Sequence, residues 1–214
     1  MAITKLKTIN AALHMVGEPS ITSLEATSAR ALVTLEEWEF ALDQLLRSAF
    51  WNFARKRTTL VVQSPAPDFG WDFRYALPSD YVQMFKLNGE EPGEPGEWWV
   101  IESGYLLTDE SEANVEYTAR PDDAATPVTG TFTTAELLAR MDPNAVQALV
   151  TGLAVKLATP LNKDEAALMF QLEQLHARHL SAAITDNANE AKRPRRDPAL
   201  ESSFVVARMW GRLG

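Results

Sequence analysis

Apolar residues in the first 16 positions recur at spacings of three and four: Ile3, Leu6, Ile9, Leu13 and Val16. That is one stripe of an amphipathic helix, and Gly17 and Pro19 stand where such a helix stops. "SITSLEATS" reads as a loop whose end offers Thr27 or Ser28 as an N-cap. A longer helix is expected from there to about Phe50. Leu32, Leu35, Trp38, Leu42, Leu45, Leu46 and Ala49 form its buried side, with Glu36, Glu37, Glu39 and Asp43 on the wet side.

After Lys56 the pattern shortens to a period of two. "TTLVVQ" is β-branched and strand-like, and "PAPDFG" breaks it. "WDFRYALP" alternates, with Trp71, Phe73 and Tyr75 on one face and Asp72 and Arg74 on the other. "DYVQMFKLNG", "EWWVIESGYLLTD" and "ANVEYTARP" continue the alternation, while residues 90–97, "EEPGEPGE", are a low-complexity loop with nothing to bury. Residues 58–120 are thus expected to hold four to six short, mostly antiparallel strands. "DDAATPVTGTF" reads as a surface connection and "TTAELLARM" as a short helix. Asp142-Pro143 is an N-cap followed by a first-turn proline. It opens a helix striped by Val146, Leu149, Val150, Leu153 and Leu157 and ended by Pro160. Asn162 with Glu165 resembles a capping box, and the last helix is expected to run to about Asn187.

The order helix–helix, β insertion, helix–helix, tail predicts an α+β fold. About four main helices would form a bundle, with a small antiparallel β domain inserted and an extended C-terminal arm, since two amphipathic helices alone bury too little. The expected divisions are 1–57 and 134–189 for the helical body, 58–133 for the β insertion and 190–214 for the arm.

Composition narrows the chemistry. The chain's 214 residues are 46% hydrophobic and 23% charged, ordinary globular values that allow a core without staples. Having no cysteine, it excludes disulfides, thiolate nucleophiles and cysteine zinc sites. The N-terminal stretch has no continuous apolar run of the signal-peptide kind, and no run is long enough to span a bilayer. A soluble protein is expected. The net charge of −9 argues against a general nucleic-acid binder, because phosphate contact needs basic surface. That charge is uneven: residues 186–214 sum to +2 and the remainder to −11.

Candidate sites are few. His176 and His179 stand at i,i+3, but a zinc site needs further ligands and His14 is the only other histidine; no metal and no cofactor is assigned. Asp72, Asp80, Glu102, Asp109, Glu110 and Glu116 offer carboxylates for a glycan hydrolase, yet spacing alone pairs none of them across a cleft. Without a nucleophile motif, phosphate loop or metal motif, no catalytic residue is assigned and the chain reads as a non-enzyme.

Around the predicted helix exit, Phe50, Trp51 and Phe53 interleave with Arg47, Arg55, Lys56 and Arg57. A nucleic-acid module would stack bases there, with Lys192, Arg193, Arg195 and Arg196 as a second basic patch. The simpler reading is a structural seam between helical and β parts, made by Phe50, Trp51, Phe53 and Arg55. The cations would then stand near a helix C-terminus, where the dipole favours them.

In the tail, "KRPRR" is broken by prolines into an extended hinge. The apolar tip beyond it holds Phe204, Val205, Val206, Met209 and Trp210, residue types that anchor interfaces. Residues 190–214 therefore read as a docking arm, with Arg193, Arg195 and Arg196 setting reach and the tip doing the holding.

Several stretches together carry a resemblance. They are "INAALHMVGEPSITSLE", "LLRSAFWNFARKRTTL", "WDFRYALPSDYVQMFKLNG", "VEYTARPDD" and the closing "ESSFVVARMWG". In this order they resemble the tail tubular protein A family, the head-to-tail adaptors (connectors) of short-tailed bacteriophages. The likeness covers nearly the whole chain and is most specific in "FWNFARKRTTL" with "YALPSDYV"; residues 124–141 depart from it by being longer. The resemblance implies a non-enzymatic virion protein, made in the host cytoplasm, that forms a twelve-membered ring beneath the portal. It would receive the tail nozzle (a tail tubular protein B-like partner) and the fibres below, and would let genomic DNA pass through its channel without specific binding.

Overall fold

The computed structural model describes residues 3–25, 27–89, 99–123, 131–161 and 166–191. The expected docking arm from 192 onward, the 90–97 loop, residues 124–130 of the longer connection and the Asn162/Glu165 capping box lie outside them.

Helix α1 (Lys5–Met15) starts at Thr4, whose hydroxyl accepts from the Lys7 amide. It ends as the glycine signal implies. Gly17 takes a left-handed φ of 76° while the Gly17 and Glu18 amides donate to the carbonyls of His14 and Leu13, which is a Schellman closure. Helix α2 (Ala29–Ser48) is capped by Ser28, the second of the two expected candidates. Its core face is Ala31, Thr34, Trp38, Ala41, Leu42, Leu45 and Leu46. Leu32, expected on the buried side, is 56% exposed. The small residues Ala31, Thr34 and Ala41 hold the tight contacts instead, so the buried stripe is rotated away from it.

The chain leaves α2 two residues earlier than expected and passes through a 3-10 turn (Asn52–Ala54) into strands, six among the described residues. These are β1 (Arg55–Thr59), β2 (Phe73–Ala76), β3 (Tyr81–Leu87), β4 (Trp99–Glu102), β5 (Tyr105–Thr108) and β6 (Asn114–Ala119). They form two antiparallel three-stranded sheets, ordered β1-β6-β3 and β2-β5-β4. The strand expected over "TTLVVQ" is displaced: it begins at Arg55 and ends at Thr59, leaving Val61 and Val62 mostly exposed. Pairing decides this, because β1 hydrogen-bonds to β6 from Arg55↔Thr118 to Thr59↔Asn114. In β3 the buried positions run Val82, Met84, then Leu87, slipping the alternation by one. The register shifts at Met84/Lys86, a bulge that returns Leu87 to the core side. Ser103 and Gly104, both with positive φ, make the two-residue turn of the β4–β5 hairpin.

Three further helices follow: α3 (Thr134–Arg140), α4 (Pro143–Leu161) and α5 (Ala166–Ala191). Thr133 and Glu136 form a reciprocal capping box at α3. α4 opens at Pro143 and buries its whole expected stripe, but Pro160 lies within its last turn and does not stop it. α5 outruns the expected end at Asn187 by four residues, to Ala191. The fold is thus mixed α+β. α4 is central, packing against α1, α2 and α5, while α2 also meets β3 and β6. One cluster of buried side chains runs from Leu13, Trp38 and Leu153 through Val115 and Tyr117 to Tyr75 and Leu106, so both sheets share a core with the helices.

Candidate functional site

The seam between α2 and the sheets is built from backbone polar groups that a helix end leaves open. Gln83, on β3, donates from Nε2 to the carbonyls of Leu46 and Ala49 at 3.1 and 2.7 Å. Arg47 donates back to the Val82 carbonyl at 3.1 Å. Trp51 is 1% exposed, stacks on Phe53 at 5.1 Å between centroids, and donates from Nε1 to the Leu45 carbonyl at 2.6 Å. Phe50 stays 40% exposed, packed on Phe85 at 4.9 Å. Arg55 also packs on Phe85, its guanidinium carbon 4.3 Å from the ring centre.

The C-terminal part of α5 locks onto this seam. Asn187, buried on α5, accepts at Oδ1 from the Asn52 amide at 2.8 Å and donates from Nδ2 to the Phe50 carbonyl at 3.0 Å. Its own carbonyl accepts from Asn52 Nδ2 at 2.9 Å. The expected seam residues Phe50, Trp51, Phe53 and Arg55 do come together here. Of the cations expected near a helix C-terminus, Arg47 does lie in the last turn of α2 and Arg55 caps the 3-10 turn, whereas Lys56 and Arg57 lie within β1.

Carboxylates pair with Arg55, Lys56 and Arg57. Arg57 Nε is 3.0 Å and Arg55 Nη1 3.8 Å from Glu116, on one face of the β1–β6 ladder. On the opposite face Lys56 Nζ meets Asp80 at 2.7 Å, and the Tyr117 hydroxyl donates to the other Asp80 oxygen at 2.9 Å. Every cation of the 55–57 cluster therefore has an acidic partner, and the shortest of these pairs is the one that includes a buried carboxylate. Asp80 and Glu116 lie on opposite faces of one sheet, while Asp72, Glu102, Asp109 and Glu110 are exposed. Asp72 and Asp109 are neighbours, the Asp72 amide donating to Asp109 Oδ1 at 3.0 Å.

Burial, and then the hydrogen bond and charge of Asp80, push the Tyr117 hydroxyl well above the usual tyrosine range. Tyr75 is raised as well, by burial first and then by Glu112 and Glu110. Unfolded tyrosines ionise near pH 10 whereas these stay neutral in the fold, so the unfolded chain binds fewer protons above that pH. Stability is therefore full below about pH 10 and falls as pH rises beyond it, by up to about 1.4 kcal/mol per pH unit for Tyr117. Tyr117→Phe is expected to flatten the fall in melting temperature between about pH 10 and 11.5. Equal slopes for variant and parent would show that Tyr117 ionises as readily folded as unfolded.

His176 and His14 are held by neighbouring groups, whereas the buried Nδ1 of His179 has no hydrogen-bond partner. His176 Nδ1 donates to the Ala148 carbonyl at 3.1 Å and lies 3.3 Å from the Thr151 hydroxyl. Burial lowers its pKa, outweighing that hydrogen bond. His14 pairs with Ser20 at 2.7 Å. Among the described residues, no group of three His, Cys, Asp or Glu is placed to hold a metal, and no helix is long and apolar enough to cross a membrane.

Several large apolar side chains are open on the surface. Leu32 and Phe40 on α2 are each 56% exposed, Phe170 on α5 61%, and Phe69 in the β1–β2 loop 89%. α5 is 26 residues long, yet only Leu172, Ala183 and Asn187 are buried among its described side chains. Periodicity does not signal this, because coverage of a helix depends on its neighbours and not on its own pattern. The expected arm residues Arg193, Arg195, Arg196, Phe204, Val205, Val206, Met209 and Trp210 lie outside the described residues. No protein-family model matches this chain, and no curated protein matches it.

Proposed function

We propose that this chain is a head-to-tail adaptor of a short-tailed phage, working by assembly and not by catalysis. In this reading it is a subunit of a ring, dodecameric by the family resemblance, that joins the portal to the tail nozzle and fibres around the DNA exit channel of the virion. The observation that carries the reading is the apolar side chains that α5 leaves exposed. A helix of that length spans about 39 Å; it packs on the core through Leu168, Leu172, Leu180 and Ala183 and leaves Phe170 and Ile184 exposed, a surface suited to a second protein. The same applies to Leu32 and Phe40 on α2. Heterologous contacts between such faces close into a ring when the rotation allows it.

The finer architecture follows from this role. The long helices α1, α2, α4 and α5 serve as the ring-wall bundle, the β insertion meets nozzle or fibres, and residues 190–214 are the arm that docks on portal or a neighbour. The acidic body suits a channel that lets DNA slide, since neutralised phosphates are what create affinity. The pairing of Arg55, Lys56 and Arg57 with Glu116 and Asp80 counts against a nucleic-acid module using that cluster.

Class-averaged images of the full chain, alone and with its portal, are expected to show rings with a central channel. A chain that stays monomeric and never attaches to portal would sink the proposal. Within the arm, Trp210→Ala is expected to weaken attachment more than Arg196→Ala at moderate salt, because a buried aromatic anchor outweighs a screened surface charge. The reverse ranking would make the arm electrostatic.

A further inference from the structure

α2 and α5 lie side by side on α4 and hardly touch each other. They run in the same direction: His176 faces the Ala41–Leu45 part of α2, and Asn187 meets Phe50 beyond its end. The gap between them is a cleft of about 60 Å³ floored by Ala148 and Gly152, with Leu45 and Ser48 on one wall and His176 and Leu180 on the other. The floor is low because Gly152 has no side chain. A Cβ there would come within 3.0 Å of the His176 ring. Phe40, the neighbour in sequence of the lining Ala41, is 56% exposed.

We propose that in the free protein this cleft seats the chain's own apolar segment, residues 204–210. Position comes first. α5 ends at Ala191, eleven residues past Leu180 and so about 16 Å along the helix from the cleft. The twelve residues 192–203 span up to about 40 Å, enough to turn back and reach it. Size agrees. A cavity of about 150 Å³ takes benzene, so one of 60 Å³ takes a branched aliphatic group such as Val205 or Val206 and not an indole. Trp210, four residues beyond Val206, then has the exposed Phe40 ring to cover.

Charge agrees as well. Residues 192–214 carry six Lys/Arg against Asp197 and Glu201, a net +4, and residues 1–191 carry −13. A short tether raises the local concentration of the segment far above that of any second copy, which favours the chain's own cleft over a neighbour's. The apolar tip is thereby kept covered until a competing partner draws it out. This seating rests on the cleft and the segment; the adaptor reading supplies only the identity of the competitor.

The absence of cysteine makes the test direct. The full chain carrying Ser48→Cys and Val206→Cys is oxidised at micromolar concentration without portal, beside a control carrying Ser79→Cys and Val206→Cys. Ser48 and Ser79 are both exposed, and circular dichroism checks that each variant folds like the parent. The expected result is a disulfide within single chains, formed roughly tenfold faster in the first variant than in the control. Equal rates, or no disulfide, would overturn the proposal, and so would a product linking two chains, which would assign the cleft to a second copy. None of these outcomes touches ring formation with portal, so the adaptor reading stands or falls separately.

Discussion

Trp51→Ala is expected to destabilise the protein by about 3–5 kcal/mol, the range for deleting a large buried aromatic. Three losses coincide at this residue. Its indole is 1% exposed in the shared core, its stack on Phe53 disappears, and its Nε1–H no longer reaches the Leu45 carbonyl at 2.6 Å. Trp51→Phe separates them. The Leu45 carbonyl also accepts from the Ser48 hydroxyl at 2.7 Å, so losing the indole donor leaves no empty acceptor. The phenylalanine variant should therefore lose only about 1–2 kcal/mol, from volume and one hydrogen bond. Urea unfolding with a shared m-value measures both. A Trp51→Ala loss below about 0.5 kcal/mol, inside the range of surface substitutions, would mean that helices and sheets are stable independently of the seam.

The elements legible in the sequence are those whose causes are local. Gly17 and Ser28 terminate and cap helices by chemistry within a few residues, and the α4 stripe is buried throughout because α4 has neighbours on several sides. The Thr133/Glu136 box at α3 carries the same kind of signal in "TTAE" and needs only to be sought. What escapes such reading is set at long range. Three consecutive cations look like a helix exit until pairing with β6 makes them a strand and sets Arg57 and Lys56 against Glu116 and Asp80, 59 and 24 residues away. The exposure of Leu32 depends on which neighbours α2 meets, and periodicity is silent on that. Asn187 reads as the last residue of a helix, whereas it joins α5 to Phe50 and Asn52 across more than 130 positions.

These long-range links have a common place in the fold. Gln83, Asn187 and Trp51 all satisfy backbone groups freed where α2 stops, so the seam holds the sheets, α2 and the end of α5 in one arrangement. The chain beyond Ala191 starts from that arrangement. A substitution that loosens the seam is thus expected to move the origin of the 192–214 segment as well as to lower stability, which links the core to assembly.

Lys56→Met is expected to cost about 3 kcal/mol, the low end for breaking a buried ion pair from one side. The low end applies because Lys56 keeps 21% of its side chain exposed and is partly hydrated, while Asp80 keeps only 6%. The loss arises less from the missing attraction than from Asp80, left in the core with the Tyr117 hydroxyl and no cation. Changing both partners tests that cause. Lys56→Met with Asp80→Leu removes the charge along with its partner, so the double variant should recover most of the loss even though more polar contacts are gone. Tyr117 keeps the recovery incomplete, because its buried hydroxyl then has no acceptor, at a cost of about 1–3 kcal/mol; adding Tyr117→Phe should return that part. If the double variant is less stable than Lys56→Met by the full cost of Asp80→Leu alone, the two side chains act independently. The triad would then be three separate contacts and not a coupled unit joining β1, β6 and the turn before β3.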